Sequence, residues 1–511
     1  MTSPGTTLAV GDTTLARRAE EAFERLGDHR ELFFEGRWYG ASELAARVSR
    51  AAAGLVAAGV RPGDRVLLCM ANCPEVGIAY RALWRAGAVP TPVLFLLSED
   101  ELRHVLVDSG AVLAITTPEF LGKVQAAGPG LPVVVVGADS GDGVTGWAEL
   151  EGGDGLGLVD RQASDLAALL YTGGTTGRSK GVALTHAGLD AAGAAAAGTA
   201  YQPGRTRSIL PLPLAHAYGL MVSVAGLHAR EPGEAVLMRW FDAAGFVDLV
   251  EEHRSQSASL VPSMVGLLLG QPLESRDLSS LERIGSGGAP LAPELAREIE
   301  RRLPGLEVRE GYGCTETSAL ISTQPPDERR LGSVGKPVPG MQVRIVGLDG
   351  EDLPAGQDGE ICVRGPMLMT GYWNSPEATA RAVVDGELRT GDVGHLDDDG
   401  FLYVVDRIKD LIIRNGFNVY PRDVEDALLA HPEIAAAAVV GRPDPRTGEE
   451  VVAFVTLAAG ASLSEQDVVA YAREHLSGAK YPREVHVVDA IPLTSVMKTD
   501  RKALRARLAG A

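Results

Sequence analysis

Cysteine is scarce. Only four residues of 511 are cysteine, Cys69, Cys73, Cys314 and Cys362, and their scatter excludes a disulfide framework. Cys69 and Cys73 lack a nearby second Cys/His pair, which excludes a zinc site built on them. Positive charge is also short, with 48 Lys and Arg against 67 Asp and Glu and a net charge of −19. That balance opposes general binding to nucleic acid or to an anionic membrane, yet it leaves room for a local basic pocket around a phosphate. No apolar run is long enough to span a bilayer, because the most apolar stretch, 260–269, is short and contains Pro262 and Ser263. Residues 1–10 have no basic start and no sustained apolar segment, so no secretory signal is expected and the protein is read as cytoplasmic.

Against these absences stand 61 glycines and an otherwise ordinary globular composition. A chain of 511 residues exceeds the size at which one core keeps growing, so two or more domains are expected. The Ala-, Gly- and Arg-rich composition points to a bacterium of high GC content.

From Ser42 to Val136 helical and strand patterns alternate. Ser42 is expected to cap a helix that presents Leu44, Val48 and Leu55 on one face until Gly59, and Arg65 to Met70 reads as a buried strand. Val76 to Ala86 is helical. Ser98 and Glu101 form a capping-box pair, Gly110 ends that helix, and Ala111 to Ile115 and Val133 to Val136 are strands. This alternation predicts a parallel sheet with helices on both faces. The Gly- and Asp-rich segment from Gly137 to Asp160 is expected to be loop. Leu166 to Leu170 reads as strand, as does Gly181 to Leu184, and Ala191 to Ala200 is either a tightly packed helix or a connector.

From Arg407 onward a different unit is expected. Asp410 to Ile413, Ala435 to Val440, Val451 to Leu457 and Glu484 to Val488 read as strands, with helices over Pro421 to Ala430 and Ser464 to Leu476. The expected fold is therefore α/β: a large N-terminal domain, 1–406, with parallel-rich sheets flanked by helices, and a small α+β C-terminal domain, 407–511.

The densest chemical signal is Tyr171-Thr172-Gly173-Gly174-Thr175-Thr176-Gly177-Arg178-Ser179-Lys180-Gly181. Glycines let backbone NH groups approach phosphate oxygens, hydroxyls add donors, and Arg178 and Lys180 add charge. The common phosphate loop ends Gly-Lys-Ser/Thr, whereas Lys180 here follows Ser179, so a different nucleotide chemistry is implied. Further motifs are Leu212-Pro213-Leu214-Ala215-His216-Ala217-Tyr218-Gly219, Gly285-Ser286-Gly287-Gly288-Ala289-Pro290 and Gly311-Tyr312-Gly313-Cys314-Thr315-Glu316. Arg389-Thr390-Gly391-Asp392, Asp406-Arg407-Ile408-Lys409-Asp410 and Val496-Met497-Lys498-Thr499 complete the series.

Taken together, from about Leu44 to Leu504, these motifs resemble the adenylate-forming superfamily of acyl-CoA synthetases, firefly-type luciferases and peptide-synthetase adenylation domains, closest to bacterial fatty-acyl or aryl-CoA ligases. The resemblance implies that ATP activates a carboxylic acid to an acyl-adenylate, and that a thiol, CoA, then displaces AMP. It implies that Thr172, Gly173, Gly174, Thr175, Thr176 and Lys180 hold the β- and γ-phosphates, and that Tyr312, between Gly311 and Gly313, stacks on adenine. Gly287, Gly288, Ala289 and Pro290 would line the other face of the base, and Asp392 would take both ribose hydroxyls with help from Arg407. Glu316 would carry Mg²⁺, with Thr175 as a second candidate, and Thr315 would sit against the α-phosphate.

By the same resemblance Lys498 bridges the substrate carboxylate and the α-phosphate. His216 joins the catalytic set and, with Tyr218, Gly219, Gly287 and Gly313, lines the acid pocket. Lys409 is the hinge about which the C-terminal domain turns between half-reactions, and the turn brings in Arg414, Gly416 and Phe417 for the approaching thiol. Met497 stands where the family usually has Gly, Ser179 where Pro is usual, and Gly173 where Ser is common. The apolar residues of 218–224 and 260–269 point to an aliphatic or aryl acid. A carrier-protein thiol as acceptor, and nitrite activation to diazotise an aryl amine, are the alternative adenylating chemistries, and a homodimer stays open. Neither nucleic acid nor a membrane span enters this reading.

Overall fold

The computed structural model describes residues 13–141, 143–172, 178–347, 349–458, 460–493 and 499–509. The chain forms two compact units. The first comprises Met1–Leu291, Leu295–Gln342 and Val363–Leu388, and the second Ala292–Glu294, Val343–Cys362 and Arg389–Ala511.

In the first unit a nine-stranded sheet runs in the order Lys336–Pro337, Ser322–Thr323, Glu307–Tyr312, Arg283–Ser286, Ser257–Leu260, Arg207–Leu210, Glu234–Leu237, Arg30–Phe34, Arg37–Gly40. Its central strands are all parallel, from Glu307–Tyr312 across to Arg30–Phe34. A second sheet, ordered Val89–Pro92, Arg65–Cys69, Leu113–Thr116, Val133–Val135, Val144–Gly146, is parallel throughout. The parallel-rich α/β architecture expected from the alternating pattern is thus present. A short antiparallel sheet of Gly371–Tyr372, Lys180–Thr185 and Leu166–Thr172 completes the unit.

Two expectations in this unit are corrected. The helix Ala41–Ala57 begins after Gly40, and Ser42 lies inside it, its amide donating to Asp28 Oδ1 at 3.0 Å. A carboxylate from upstream does the capping that a Ser side chain was expected to do. The segment 137–160 is not all loop, since it holds the strand Val144–Gly146 and the short helix Trp147–Leu150. Trp147 is buried and donates from Nε1 to Glu151 Oε1 at 2.5 Å, which gives that Gly-rich stretch an anchor. The capping box of Ser98 and Glu101 and the left-handed Gly110 are as expected.

The Ala- and Gly-rich stretch belongs to the helix His186–Ala200. Its small residues serve close packing, because a Cβ on Gly193 would lie 2.6 Å from Val224 Cγ1 and 3.0 Å from the Val224 carbonyl carbon. At its start His186 is 1% exposed, and its Nδ1 accepts the Leu15 amide at 3.3 Å. Burial, and next the nearby Arg161, push the His186 pKa down from 6.5 to about 4. The unfolded chain therefore binds this proton more readily than the folded one. The stabilisation is complete above pH 6.5 and is lost as pH falls toward 4. From pH 7.5 to 5 this costs about 2 kcal/mol. Urea unfolding at the two pH values should show that much more acid sensitivity in the wild type than in H186Q, and equal sensitivity would refute the assignment.

A five-stranded sheet, most of whose residues fall in the second unit, runs Gln342–Val346, Gly359–Arg364, Glu387–Leu396, Val383–Val384, with Leu402–Arg407 antiparallel to Glu387–Leu396. Another runs Phe417–Val419, Ile412–Arg414, Gly448–Leu457, Ile434–Asp444, with Glu484–Val487 parallel to Gly448–Leu457. Strand alternation puts Val439, Val451, Ala453 and Val455 in one apolar cluster and Ala438, Val440, Val452 and Phe454 in another. Helices Pro421–Leu429 and Glu465–His475 supply Val424, Leu428, Val468 and Ala472 to the first, and helix Arg501–Ala509 supplies Leu504 to the second. The strand expected over 410–413 starts later, at Ile412, and Ile408–Asp410 is a 3₁₀ turn. Asp410 is held there, buried and paired with Arg505 at 2.8 Å. Among the described residues no helix is long and apolar enough to cross a membrane.

Candidate active site

The glycine-rich loop joins two strands of a hairpin in which Tyr171 pairs with Gly181 and Thr172 with Lys180. Thr172 and Lys180 are its feet, while Gly173, Gly174, Thr175 and Thr176 lie outside the described residues. Tyr372 lies on the neighbouring strand, paired with Val182, and the Lys180 ammonium stands 4.9 Å from the centre of its ring. The Tyr372 hydroxyl in turn donates to Glu316 Oε1 at 2.8 Å. Burial, and then the Glu316 carboxylate, push the Tyr372 phenol well above its ordinary value, so it stays protonated as a donor. Lys180 and Glu316 are therefore linked through one tyrosine that sequence reasoning did not single out. Its contact to Glu316 spans 56 residues, and no local pattern marks it.

Glu316 sits in the 3₁₀ turn Thr315–Thr317, which follows the strand Glu307–Tyr312 after Gly313 and the N-cap Cys314. The turn is tightly specified. Cys314 donates from its amide to Thr317 Oγ1 at 3.1 Å, and Ser318 and Ala319 take left-handed φ values of 52° and 70°. The Ser318 hydroxyl donates to the Met367 carbonyl at 2.9 Å and the Ile321 amide to the Tyr312 carbonyl at 2.7 Å. A Cβ on Gly313 would lie 2.3 Å from the Ala319 carbonyl oxygen, so only glycine fits. Among the described residues no group of three or more His, Cys, Asp or Glu could hold a metal ion. One carboxylate, with phosphate oxygens and water as the other ligands, nevertheless fits Mg²⁺.

Tyr218 opens the wall of a second part of the site. Its hydroxyl donates to the Gly285 carbonyl at 3.3 Å, and its ring lies against Gly287, where a Cβ would meet Tyr218 Cε1 at 3.4 Å and the Gly311 carbonyl oxygen at 3.5 Å. Gly288 has φ +80° and faces Val261, and Pro290 is exposed. Tyr218, Gly287 and the Gly311–Tyr312 strand end are thus brought together. His216 is the N-cap of helix Ala217–Gly226, with Nδ1 accepting the Tyr218 amide at 3.2 Å. A Cβ on Gly219 would lie 2.3 Å from the Pro213 carbonyl oxygen, so the helix turns back on the segment before it. Asn72, buried and not anticipated from sequence, fixes that segment: its amide donates to the carbonyls of Leu212 and Met238, and its Oδ1 accepts the Leu214 amide.

In the second unit Asp392 and Arg407 are cross-strand partners, joined at 2.9 Å, with Asp392 buried and Arg407 half-exposed. Lys409 lies in the 3₁₀ turn that follows Arg407. Asn415 and Gly416, at φ 51° and 79°, form the two-residue turn of a hairpin whose first pair is Arg414 and Phe417. Phe417 is 63% exposed, whereas the Arg414 guanidinium is tied to Glu450 at 2.6 Å. Met497 and Lys498 lie outside the described residues.

Two family models match the chain: AMP-binding enzyme over residues 19–373, and AMP-binding enzyme C-terminal domain over 423–498. Among curated proteins it is 38% identical to a feruloyl-CoA synthase of Amycolatopsis sp over 477 residues, 91% of this chain and 93% of that one. It is 36% identical to 4-coumarate--CoA ligase 5 of Oryza sativa subsp. japonica, covering 95% of this chain and 94% of that one. Among solved structures, ATP-bound MatB from Rhodopseudomonas palustris superposes with a TM-score of 0.89 at 31% identity, covering 97% and 99% of the two chains. The amide bond synthetase McbA from Marinactinospora thermotolerans superposes at 0.87 and 30%, covering 96% and 99%.

Proposed function

The chain belongs to the AMP-binding enzyme family and is an adenylate-forming acid–CoA ligase, and we propose that the acid it activates is a hydroxycinnamate. The carrying observation is 38% and 36% identity, over 91% and 95% of the chain, to a feruloyl-CoA synthase and a 4-coumarate--CoA ligase. The Tyr218 ring against Gly287, two residues expected to line the acid pocket, suits an aryl ring.

The roles follow from the chemistry. A carboxylate approaching a triphosphate meets charge of its own sign, so cations and donors must surround the α-phosphate before attack. Lys180 and Thr172, with Gly173, Gly174, Thr175 and Thr176, grip the β- and γ-phosphates. Thr315 holds the α-phosphate, Tyr312 stacks on adenine across from Gly287, Gly288, Ala289 and Pro290, and Asp392 with Arg407 holds the ribose. Mg²⁺ carried by Glu316 would supply the charge that offsets departing pyrophosphate. Lys498 neutralises the attacking carboxylate and the α-phosphate together. In the second half-reaction the CoA thiol attacks the acyl carbonyl, the thioester forms and AMP leaves. Phe417, Gly416 and Arg414 serve that step, with 407–511 moving as a domain about Lys409. The four free cysteines suit the reducing cytoplasm.

Tyr372→Phe should lower kcat/KM for adenylation about tenfold, the cost of one hydrogen bond to a charged group, and should raise the Mg²⁺ needed for half-maximal rate. Unchanged Mg²⁺ dependence would remove Tyr372 from this role. The substrate proposal is tested by acid-dependent pyrophosphate–ATP exchange over hydroxycinnamic, benzoic, aliphatic and amino acids, with product mass measured in the presence of CoA. Hydroxycinnamates should give the highest kcat/KM and an acyl-CoA product, and a preference for aliphatic acids would overturn it. A second reading changes only the acceptor, from CoA to an amine, and the 30% identity to an amide bond synthetase favours it. Amide formed in preference to thioester, when amine and CoA compete, would decide for it.

A further inference from the structure

The helix Glu99–Ser109 carries two polar side chains that the reaction scheme leaves without a task, and both reach the feet of the glycine-rich hairpin. His104 Nε2 lies 2.9 Å from the Ser179 carbonyl oxygen, and the oxygen is an acceptor, so Nε2 carries the proton and donates. One turn further on, Asp108 Oδ2 accepts the Tyr171 hydroxyl at 2.6 Å. Residues four apart lie on one face of a helix, so a single helical face holds Tyr171 in the first strand and Ser179 just before the second. The His104 ring also meets the Tyr171 ring edge to face, centroids 6.4 Å apart at 86°. Asp108 does more through its backbone: its carbonyl accepts Trp373 Nε1 at 3.1 Å and Asn374 Nδ2 at 3.0 Å. Trp373 follows Tyr372, the residue that lies under Lys180 and holds Glu316.

Ser179 precedes Lys180 and Tyr171 precedes Thr172. The peptide unit is planar, so fixing the Ser179 carbonyl fixes the plane in which the Lys180 amide lies. Burial, and next Asp108, push the Tyr171 phenol well above its ordinary value and keep it a donor. A structural staple for the sheet alone would not need a side-chain donor aimed at the one carbonyl next to the phosphate-binding lysine, because the strands already pair with each other.

We propose that His104 is a positioning residue for the triphosphate, acting through the Ser179 carbonyl to aim Lys180, with Asp108 holding the opposite foot through Tyr171. The proposal rests on the reading of the chain as an adenylating ligase. It predicts that the helix affects the half-reaction that handles pyrophosphate and leaves untouched the one that does not.

The test uses the full-length enzyme and three variants, H104L, H104Q and Y171F, with two assays. One is acid-dependent pyrophosphate–ATP exchange, and the other is thiolysis of a supplied aryl-acyl adenylate by CoA. H104L, which loses the donor, should raise KM for ATP and for pyrophosphate about tenfold with little change in kcat and none in thiolysis. H104Q keeps an N–H donor and should restore most of the loss, and Y171F should resemble H104L. The proposal is overturned if H104L leaves KM unchanged, if H104L lowers both half-reactions alike, or if H104Q is as impaired as H104L. Melting temperatures of all variants separate misfolding, which would depress both assays together. Absence of exchange in the wild type with every acid would instead overturn the functional reading, and this proposal with it.

Discussion

Replacing Lys498 with Ala is expected to cut acid-dependent pyrophosphate–ATP exchange by about 10²–10³-fold while thiolysis of a supplied acyl-adenylate continues. The asymmetry follows from what each half-reaction does with charge. In the first, a carboxylate oxygen bonds to the α-phosphorus as the bond to pyrophosphate breaks, so two anions share one small volume, and a cation placed between them acts most strongly at the transition state. In the second, a thiol attacks an acyl carbonyl that is already activated, and the leaving group is AMP. Lys498→Arg should recover little, because a planar guanidinium cannot occupy the place of a compact ammonium between two oxygens. Exchange and thiolysis measured on the same preparations check this, and the assignment falls if both half-reactions survive K498A or if both are lost together. Met497 beside it has a side chain where the family usually has none, so M497G is the companion variant, and a change in its exchange rate would report on the lysine's placement.

Elements governed by local rules were legible in the sequence. The capping box of Ser98 with Glu101, the proline that opens helix Pro421–Leu429 and the apolar run Val451 to Leu457 each depend on residues a few positions apart; the first two stand where expected, and the strand of the third starts earlier, at Gly448. The two strands flanking the glycine-rich loop were legible too, as short apolar runs, whereas their antiparallel pairing comes from the structure. Two of the errors came where a distant partner outweighed the local pattern. Ser42 yielded its cap to Asp28, and Asp410 is drawn into a turn by Arg505. Of the candidate site, the residues that would touch nucleotide sit in recognisable motifs, whereas the residues that hold them do not. Asn72 meets Leu212 across 140 residues, Tyr372 meets Glu316 across 56, and His104 meets Ser179 across 75. Such contacts exist only once the sheets are assembled, and a lone Asn, Tyr or His carries no period that announces them.

Gly313 shows how the two kinds of information combine, and it carries the second large effect. The sequence marks it as part of a motif, Gly311-Tyr312-Gly313, in which both glycines look equivalent. The structure separates them. A Cβ at Gly311 would come no nearer than 3.3 Å to the Ser322 carbonyl oxygen, a distance that small shifts relieve. At Gly313 it would stand 2.3 Å from the Ala319 carbonyl oxygen, 2.4 Å from its carbon and 2.5 Å from the Leu320 nitrogen. All three are backbone atoms, and the segment has little room to yield, because Ala319 donates to the Cys314 carbonyl at 2.9 Å and Ser318 is bound to Met367. G313A should therefore cost about 1–3 kcal/mol in urea unfolding, in the range of an overpacked core. Catalysis should suffer more than stability. The turn that must shift carries Thr315 and Glu316, and a displacement of about 1 Å at such groups lowers rate on the order of 10²-fold. G311A should leave both quantities near those of the wild type. The contrast is the test, since the two alanine substitutions are the same chemical change two residues apart and differ in what the added methyl meets. Equal damage from both, or wild-type adenylation by G313A, would mean that the geometry of this turn does not set the position of the groups that activate the acid.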